Sequence, residues 1–179
     1  YYRITLSDPY EVVVCAERED GIIVGFSSAT LDAEKQAENL RNHKLKLGLA
    51  AVGALLKRPF LLKELWSRYK SLEADDRAPK FIHNKGVRGE YWCWRKDMSE
   101  KSFLSVDMEN VKDGIIYNLG YREIFFEVDK FNKSVYRYHE KVAKAEPIGS
   151  MILPDGRERV LFRKILKPYK KYGLVTTDK

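Results

Sequence analysis

The stretch that decides the fold runs from Tyr117 to Val142 and reads YNLGYREIFFEVDKFNKSVYRYHEKV. Gly120 follows an apolar helical pattern, and glycine tolerates the left-handed backbone that ends many helices. The β-branched and aromatic residues from Glu123 to Val128 predict a short buried strand. Asn132 is typical of a helix N-cap, and apolar residues at helical spacing follow it. The stretch therefore predicts the end of a helix, a strand and a second helix.

Length, charge and cysteine content limit the class of protein. The 179 residues predict one domain, 1–179, and the net charge of +7 favours anionic partners such as nucleotide phosphates, nucleic acid or anionic lipid. No apolar run reaches the roughly 18 residues that a transmembrane helix needs. Cys15 and Cys93 lie in apolar runs without CxxC spacing. They are predicted to be reduced core residues of a cytoplasmic protein, and no metal site is expected.

Further strands surround the first stretch. They are predicted at residues 12–16, 22–27, 90–95, 148–153 and 159–165. An Asp-Gly step at Gly21 and a Pro-Asp-Gly step ending at Gly156 predict two hairpins. Gly25 is predicted to mark a bulge or a close approach of backbone. A polar loop at 97–106 and a helix at 107–119 lie between the third and fourth strands. This order predicts a mixed α/β sheet with helices on its faces.

Residues 32–88 are predicted to form a helical insertion between two strands. Asp32 caps a first helix, and Pro59 begins a second helix at residues 60–70. Eight basic residues and one acidic residue lie between positions 41 and 70. Three interpretations stay open: a lid over a substrate, a contact with an anionic membrane surface, or a homodimer interface. No known DNA- or RNA-binding motif accompanies the charge, which argues against nucleic acid. A basic tail, 167–179, ends the chain.

Two segments, CAEREDGIIVGF and LGYREIFFEVDKFNKSVYRYHEKV, resemble segments of the GNAT-type N-acetyltransferase superfamily. In that family an apolar strand ending in Val is followed by an Asn and, seven residues later, by an aromatic residue; here these are Val128, Asn132 and His139. The resemblance covers roughly residues 12–165 apart from the insertion. It implies a first strand and two helices before Tyr1, and acetyl-CoA bound between two splayed parallel strands. The implied reaction is direct attack of an amine on the thioester, without a covalent enzyme intermediate or a metal.

The resemblance also suggests roles for individual residues. His139, with Tyr138 as a near substitute, would protonate the departing thiolate, and Glu90 would take a proton from the amine. The predicted cofactor-binding residues are Trp94, Arg95, Lys96, Ser99, Lys101, Ser102, Ser105, Asn132 and Tyr136. The predicted acceptor-binding residues are Tyr91, Trp92 and Trp66. Each has a structural alternative: His139 as a surface helix residue, Asn132 as a simple cap, and the aromatic residues as sheet core.

One family motif is altered in this chain. Members carry Arg/Gln-x-x-Gly-x-Gly/Ala after the fourth strand, and its backbone N–H groups cradle the pyrophosphate. Aligned on Gly120, this chain has Lys101, Leu104 and Val106 at those positions. Bulky side chains hinder close approach of backbone to phosphate, so the loop takes another path or coenzyme A binds weakly or not at all. The alternative function is a catalytically weakened binding module whose basic insertion contacts a membrane surface, a lipid-linked substrate or a protein partner.

Overall fold

A computed structural model describes residues 2–59, 85–95, 97, 101–153 and 156–169 of the chain. Its centre is a six-stranded mixed sheet with strand order β1-β2-β3-β4-β6-β5. The strands are β1 (Glu11–Glu17), β2 (Ile23–Thr30), β3 (Arg88–Trp94), β4 (Glu123–Asp129), β5 (Glu146–Ile152) and β6 (Glu158–Ile165). The helices are α1 (Tyr2–Thr5), α2 (Ala33–Asn42), α3 (Lys44–Lys57), α4 (Lys101–Asn118) and α5 (Lys133–Arg137). A π-helical turn, Tyr138–Val142, continues α5. The mixed sheet with helices confirms the predicted α/β class.

Two predicted hairpins form the outer pairs of the sheet. Gly21, at φ +79°, turns β1 into β2, and Gly156, at φ +82°, turns β5 into β6. Both glycines adopt the left-handed conformation that other residues rarely adopt. Gly25 is a site of close approach, since an added Cβ there would overlap the ring of Trp94. The β1–β2 register shifts between the pairs Ala16–Gly25 and Glu17–Ile23, so a one-residue bulge at Val24 directly adjoins Gly25.

The central strands β3 and β4 are parallel and barely paired. Their register includes a single pair, Arg88 with Phe125, and the Phe125 N–H donates to the Val87 carbonyl at 3.1 Å. Within the described residues no further pair joins the two strands, so they part beyond this point. Strands that part leave backbone N–H and C=O groups that need other partners.

One face of the sheet carries α4 and the main core. The buried residues of this core include Ala29, Val87, Ile116, Ile124, Phe126, Val128 and Phe162. The Phe126 and Phe162 rings stack with centroids 5.8 Å apart, which ties β4 to β6. Burying each of these large side chains contributes roughly 1.5–3 kcal/mol to folding. We call this side the α4 face and the other side the open face.

The predicted burial of the two cysteines is wrong. Cys15 and Cys93 are both exposed. Cys93 alternates with Trp92 and Trp94 along β3. Because the two Trp residues lie on the α4 face, Cys93 lies on the open face. Apolar neighbours in sequence therefore did not imply a buried thiol.

The predicted loop before α4 is also wrong from residue 101 onward. The helix begins at Lys101, six residues earlier than expected, and ends at Asn118, next to the predicted cap Gly120 at φ +100°. The segment 101–106 contains neither Gly nor Pro, so nothing in it interrupts helical geometry. Leu104 and Val106 are therefore helix residues and do not form a phosphate loop.

The insertion begins as predicted and then divides. Asp32 caps α2 by accepting from the Glu34 and Lys35 N–H groups at 3.1 Å each. The chain breaks at His43 into α2 and α3, and α3 has no buried residue. The predicted helix at 60–70 lies outside the described residues. None of the helices that the structure describes is long and apolar enough to cross a membrane.

Candidate active site

The gap between β3 and β4 is bordered on the α4 face by a cluster of aromatic rings. The His139 ring lies 5.5 Å from the Trp92 ring of β3 and 4.3 Å from the Phe126 ring of β4. Tyr138 lies 5.1 Å from Trp92 and covers the same ring. The cluster therefore spans the two strands where they separate.

A π-helical turn places Tyr138 and His139 there. α5 and the turn together form the helix predicted after Asn132, but the wider turn shifts its register from Tyr138 onward. Such single turns occur often at functional sites, because the extra residue redirects neighbouring side chains. Two successive residues of this helix thereby contact the same indole.

His139 is neither the predicted surface residue nor a solvated acid. It is 3% exposed, and its Nδ1 has no hydrogen-bond partner in the described part of the chain. Burial, reinforced by the positive charges of Lys164 and Lys112, lowers the pKa of His139 to about 3. The imidazole is therefore neutral near pH 7 and has no imidazolium proton to donate.

Tyr138 is half-buried beside the same indole. Burial, followed by the negative charges of Glu109 and Asp113, raises the pKa of its hydroxyl above the usual range. The hydroxyl therefore keeps its proton throughout the neutral range and can donate a hydrogen bond. Both rings are therefore neutral near pH 7, and the Tyr138 hydroxyl is a hydrogen-bond donor beside the indole.

Glu90 lies on the open face in a cluster of acidic residues. Its Oε1 accepts from Gln36 Nε2 and from Arg88 Nη2, both at 2.9 Å. The same Gln36 amide donates to Glu11 Oε1, which links the two carboxylates. Burial, then repulsion by Glu90, raises the pKa of Glu11 to about 7. The Glu11 carboxyl group therefore changes its protonation state in the neutral range.

A β-bulge in β3 directs Glu90 to this face. Ser28 pairs with Tyr91 and Ala29 pairs with Gly89, so Glu90 is the extra residue. Glu90 contacts Gln36, while Tyr91 packs beside Phe26 with ring centroids 6.4 Å apart. Both therefore lie on the open face, although simple alternation places Glu90 with Trp92. Bulges of this kind are common beside active sites.

The residues predicted to bind the cofactor are dispersed. Ser105, a predicted cofactor-binding residue, is a buried residue of α4. Its carbonyl accepts a hydrogen bond at 3.1 Å from Nε1 of Trp92, which belongs to the predicted acceptor-binding set. Lys101 lies at the first position of α4 and Ser102 at the second. Trp94 is half-buried, and its Nε1 has no hydrogen-bond partner among the described residues. Arg95 is exposed and pairs with Asp97. Lys96, Ser99 and Trp66 lie outside the described residues.

Asn132 precedes α5, and Tyr136 lies within it. Asn132 stands at the N-cap position, but its side chain makes no capping hydrogen bond. Capping alone therefore does not explain this residue. The Tyr136 ring packs edge-on against Phe162 at 5.4 Å, which makes it part of the core.

Sequence reasoning missed Glu11, Gln36 and Ser28. Glu11 precedes the apolar run of β1 at an alternating position with Val13 and Cys15, a pattern that signals a shared face. Gln36 is 2% exposed within α2, and no sequence pattern marked it. No group of His, Cys, Asp and Glu side chains in the described ranges is arranged to hold a metal ion.

Comparison with solved structures identifies the fold. An aminoglycoside 6'-N-acetyltransferase from Enterococcus faecium matches with 12% identity and a TM-score of 0.51, over 93% of this chain and 80% of that protein. A protein named SsHAT matches with 10% identity and a TM-score of 0.52, over 84% of this chain and 70% of that one. A probable GNAT-family acetyltransferase from Chromobacterium violaceum matches with 9% identity and a TM-score of 0.49 over 92% of this chain. This chain spans 63% of that protein's length.

The fold is therefore that of the GNAT-type N-acetyltransferases, as the sequence resemblance implied. At these identities the likeness is one of fold. No protein-family model matches the chain, and no curated protein matches it.

Proposed function

We propose that this chain is an N-acyltransferase that moves an acetyl group from acetyl-CoA to an amine. The parting of β3 and β4 beyond the Arg88–Phe125 pair supports the proposal most directly. A parted strand offers a row of backbone donors and acceptors to an extended ligand, as a sheet edge does to a peptide. The pantetheine arm of coenzyme A carries amides that suit such a row. A backbone N–H of β3 would polarise the thioester carbonyl.

The two faces of β3 would then serve the two proton transfers. The amine attacks the thioester carbon, a C–N bond forms, and the C–S bond breaks. The proton lost by the amine passes to the carboxylates at Glu90 on the open face. The departing thiolate receives the hydroxyl proton of Tyr138 on the α4 face, and solvent restores it. His139, neutral and buried, positions the Trp92 and Tyr138 rings.

The N-terminus of α4 is the candidate binding site for the pyrophosphate of coenzyme A. The N-terminus of α4 follows β3, and a helix N-terminus attracts phosphate through its N–H groups and dipole. Phe103, at 85% exposure, and Leu104, at 48%, project from its first turn. These bulky side chains restrict close approach of phosphate, so we expect weaker cofactor binding than glycines at those positions would allow.

Cofactor titration tests the proposal directly. We expect acetyl-CoA to change the fluorescence of Trp92 or Trp94 and to raise the melting temperature, because a ligand that binds the folded state stabilises it. Desulfo-coenzyme A lacking the thioester serves as a second ligand. If millimolar acetyl-CoA leaves both signals unchanged, the acyltransferase proposal fails.

A matched pair of variants tests the proton donor. We expect Tyr138→Phe to lower turnover by about 10²-fold, the usual weight of a general acid, with acetyl-CoA affinity unchanged. His139→Phe preserves an aromatic ring at a buried position and should leave turnover within about threefold. The reverse result would assign the proton transfer to His139.

Helix α3 favours a second candidate function, contact with an anionic membrane surface. Leu45, Leu49, Val52 and Leu56 are 54–82% exposed. On a helix they fall within a sector of about 60°, and Lys44, Lys46 and Lys57 lie roughly 90–110° to either side. No acidic residue lies within α3. This arrangement suits an apolar stripe in the acyl region with lysines reaching the headgroups.

Vesicle co-sedimentation tests this second function. We expect the protein to bind vesicles of phosphatidylcholine with phosphatidylserine more tightly than phosphatidylcholine alone, and Leu49→Ser to weaken binding. Ile152→Ser is the control, because Ile152 is 69% exposed on β5, away from α3. Equal loss in both variants, or self-association through α3 in sedimentation velocity without vesicle binding, would contradict the membrane contact.

A further inference from the structure

We propose that a cavity on the open face binds the acceptor, an amine with an apolar body whose ammonium group lies at the Glu11–Glu90 pair. The proposal rests on the proposed acyl transfer, for which it names the class of acceptor. The β1–β3 cavity measures about 340 Å³ and lies between α1 and strands β1, β2 and β3. Its volume suits the body of a small aromatic or aliphatic amine.

The wall of the β1–β3 cavity is mainly apolar. Leu6, Val13, Ile23, Phe26 and Tyr91 line it. They come from the residue that follows α1 and from all three strands, so the sheet itself shapes the space. A hydrocarbon or aromatic substituent would replace water there and gain roughly 25 cal/mol for each Å² of apolar surface buried.

Two hydroxyl groups in this wall lack partners. Ser28 is 3% exposed and Thr5 is 5% exposed, and both line the cavity. Ser28 Oγ and Thr5 Oγ1 have no hydrogen-bond partner among the described residues. Buried hydroxyl groups are normally paired, since leaving one unpaired costs about 1–3 kcal/mol. A bound polar ligand or water would supply the missing partners.

Two carboxylate oxygens also lack partners among the described residues, and they lie on the same face of the sheet as the lining residues Val13 and Tyr91. Glu11 Oε2 and Glu90 Oε2 are buried without a partner in the described part of the chain. The Glu90 side chain is 7% exposed. Ionised carboxylates accept several hydrogen bonds, and an ammonium group donates up to three. One ammonium group could therefore satisfy oxygens from both residues.

The charges around the pair leave a negative excess. Asp8 is 6% exposed and acts on Glu11 together with Glu90. Among the described residues, the cation that faces these carboxyl groups is the Arg88 guanidinium, which is bound to Glu90 Oε1 at 2.9 Å. Buried charge of one sign is stabilised by a counter-ion. The cluster thus favours a cationic ligand over a neutral or anionic one.

Strand geometry joins the carboxylates to the cavity. Glu11 and Val13 alternate on the same face of β1, and Ser28 pairs with both Val13 and Tyr91. The bulge places Glu90 and its neighbour Tyr91 on one face. An amine whose body fills the cavity would therefore present its nitrogen at the carboxylates. β3 also borders the gap to β4, where the thioester would lie.

The pair then has a defined chemical task. The bound ammonium loses one proton to the shared carboxylate site and becomes a neutral amine with a free electron pair. The amine nitrogen attacks the thioester carbon, and the carboxylate pair holds the proton until solvent removes it. No oxidant, reductant or metal takes part in this balance.

Calorimetric titration without cofactor tests the cavity. The probes are 2-phenylethylamine and its neutral analogue 2-phenylethanol, added to the full chain at pH 7.5. We expect the amine to bind at least about tenfold more tightly, the weight of one charge-assisted contact. Equal affinities of the two probes, or no binding of the amine at 10 mM, would overturn the proposal.

Two isosteric variants test the carboxylates. We expect Glu11→Gln to weaken amine binding about tenfold or more and to leave 2-phenylethanol unchanged. Glu127→Gln is the matched control, because Glu127 is a partly buried carboxylate of β4 that pairs with Arg159. Equal weakening by both substitutions would contradict the site. Acetyl-CoA binding, measured separately, distinguishes this failure from failure of the acyltransferase proposal, since neither titration requires the other ligand.

Discussion

Buried charges lie on both faces of this sheet, but they are compensated very differently. On the α4 face, Lys112 lies 2.6 Å from Glu109 and 3.5 Å from Asp113, and Lys164 lies 2.6 Å from Asp113. Two ammonium groups therefore meet two carboxylates. On the open face, Asp8, Glu11 and Glu90 meet the guanidinium of Arg88 among the described residues. The charges of the first cluster balance, whereas the second cluster has more carboxyl groups than cations.

The protonation of the two clusters follows from this balance. Burial opposes the charges on the α4 face, but Lys112, Ser27 and Lys164 together outweigh it and lower the pKa of Glu109. Burial likewise opposes the charge of Lys112, and Glu109 with Asp113 outweighs it and raises the pKa of Lys112. Glu11 has no comparable cation beside it among the described residues, so burial is the largest influence and raises its pKa. The paired groups of the α4 face therefore stay ionised and hold α4 against the sheet. The carboxyl groups of the open face can instead bind a proton or a cationic ligand.

The largest effect is expected from breaking the balanced cluster. Lys112→Met leaves Glu109 and Asp113 without their shared cation and should lower the free energy of unfolding by about 3–5 kcal/mol. Urea denaturation at pH 7 measures it. Lys130→Met is the control, because the Lys130–Glu158 pair is exposed and such pairs contribute at most about 1 kcal/mol. Similar losses in both variants would contradict the distinction between the faces.

His139 should make the α4 face sensitive to acid. Its pKa falls from 6.5 to about 3 on folding, so the unfolded chain binds more protons between these values. Stability is then fully present above about pH 6.5 and declines toward pH 3, by on the order of 3 kcal/mol. His139→Phe should remove this decline in urea titrations from pH 4 to 7. An unchanged pH profile in the variant would show that His139 is solvated in the folded state.

Glu11 should give the open face the opposite and smaller slope. Its pKa rises from 4.5 to about 7 on folding, so the folded chain binds more protons in this window. Its contribution is present below about pH 4.5 and is lost as the pH rises to 7. The loss should be on the order of 1 kcal/mol, because the carboxyl group is partly solvated.

Glu11→Gln separates this slope from that of His139, since the two oppose each other between pH 4.5 and 6.5 in the wild-type chain. We expect the variant to gain stability relative to wild type as the pH rises from 5 to 7.5. Thermal unfolding across this range measures the difference. A constant difference between variant and wild type would mean that the Glu11 pKa is the same in the folded and unfolded chains.

Local patterns predicted much of the architecture. The segment from Gly120 to Asn132 predicted a helix end, β4 and the start of α5, and the Gly21 and Gly156 turns predicted both hairpins. These features depend on backbone preferences of a few adjacent residues, which the sequence displays directly. The start of α4 was missed because its first six residues suit both a polar loop and a helix turn. The roles proposed for Tyr138, His139 and Glu90 stay predictions.

The sequence by itself determined the order of strands and helices, because turn residues and apolar periodicity act over a few positions. Only the tertiary structure decided which side chains meet. A π-helical turn brought Tyr138 and His139 onto the same indole, and a one-residue bulge moved Glu90 to the face of Glu11. Both are single-residue changes of register, and no local sequence pattern predicts them. They depend on packing between distant strands, and each reverses the direction in which a side chain points.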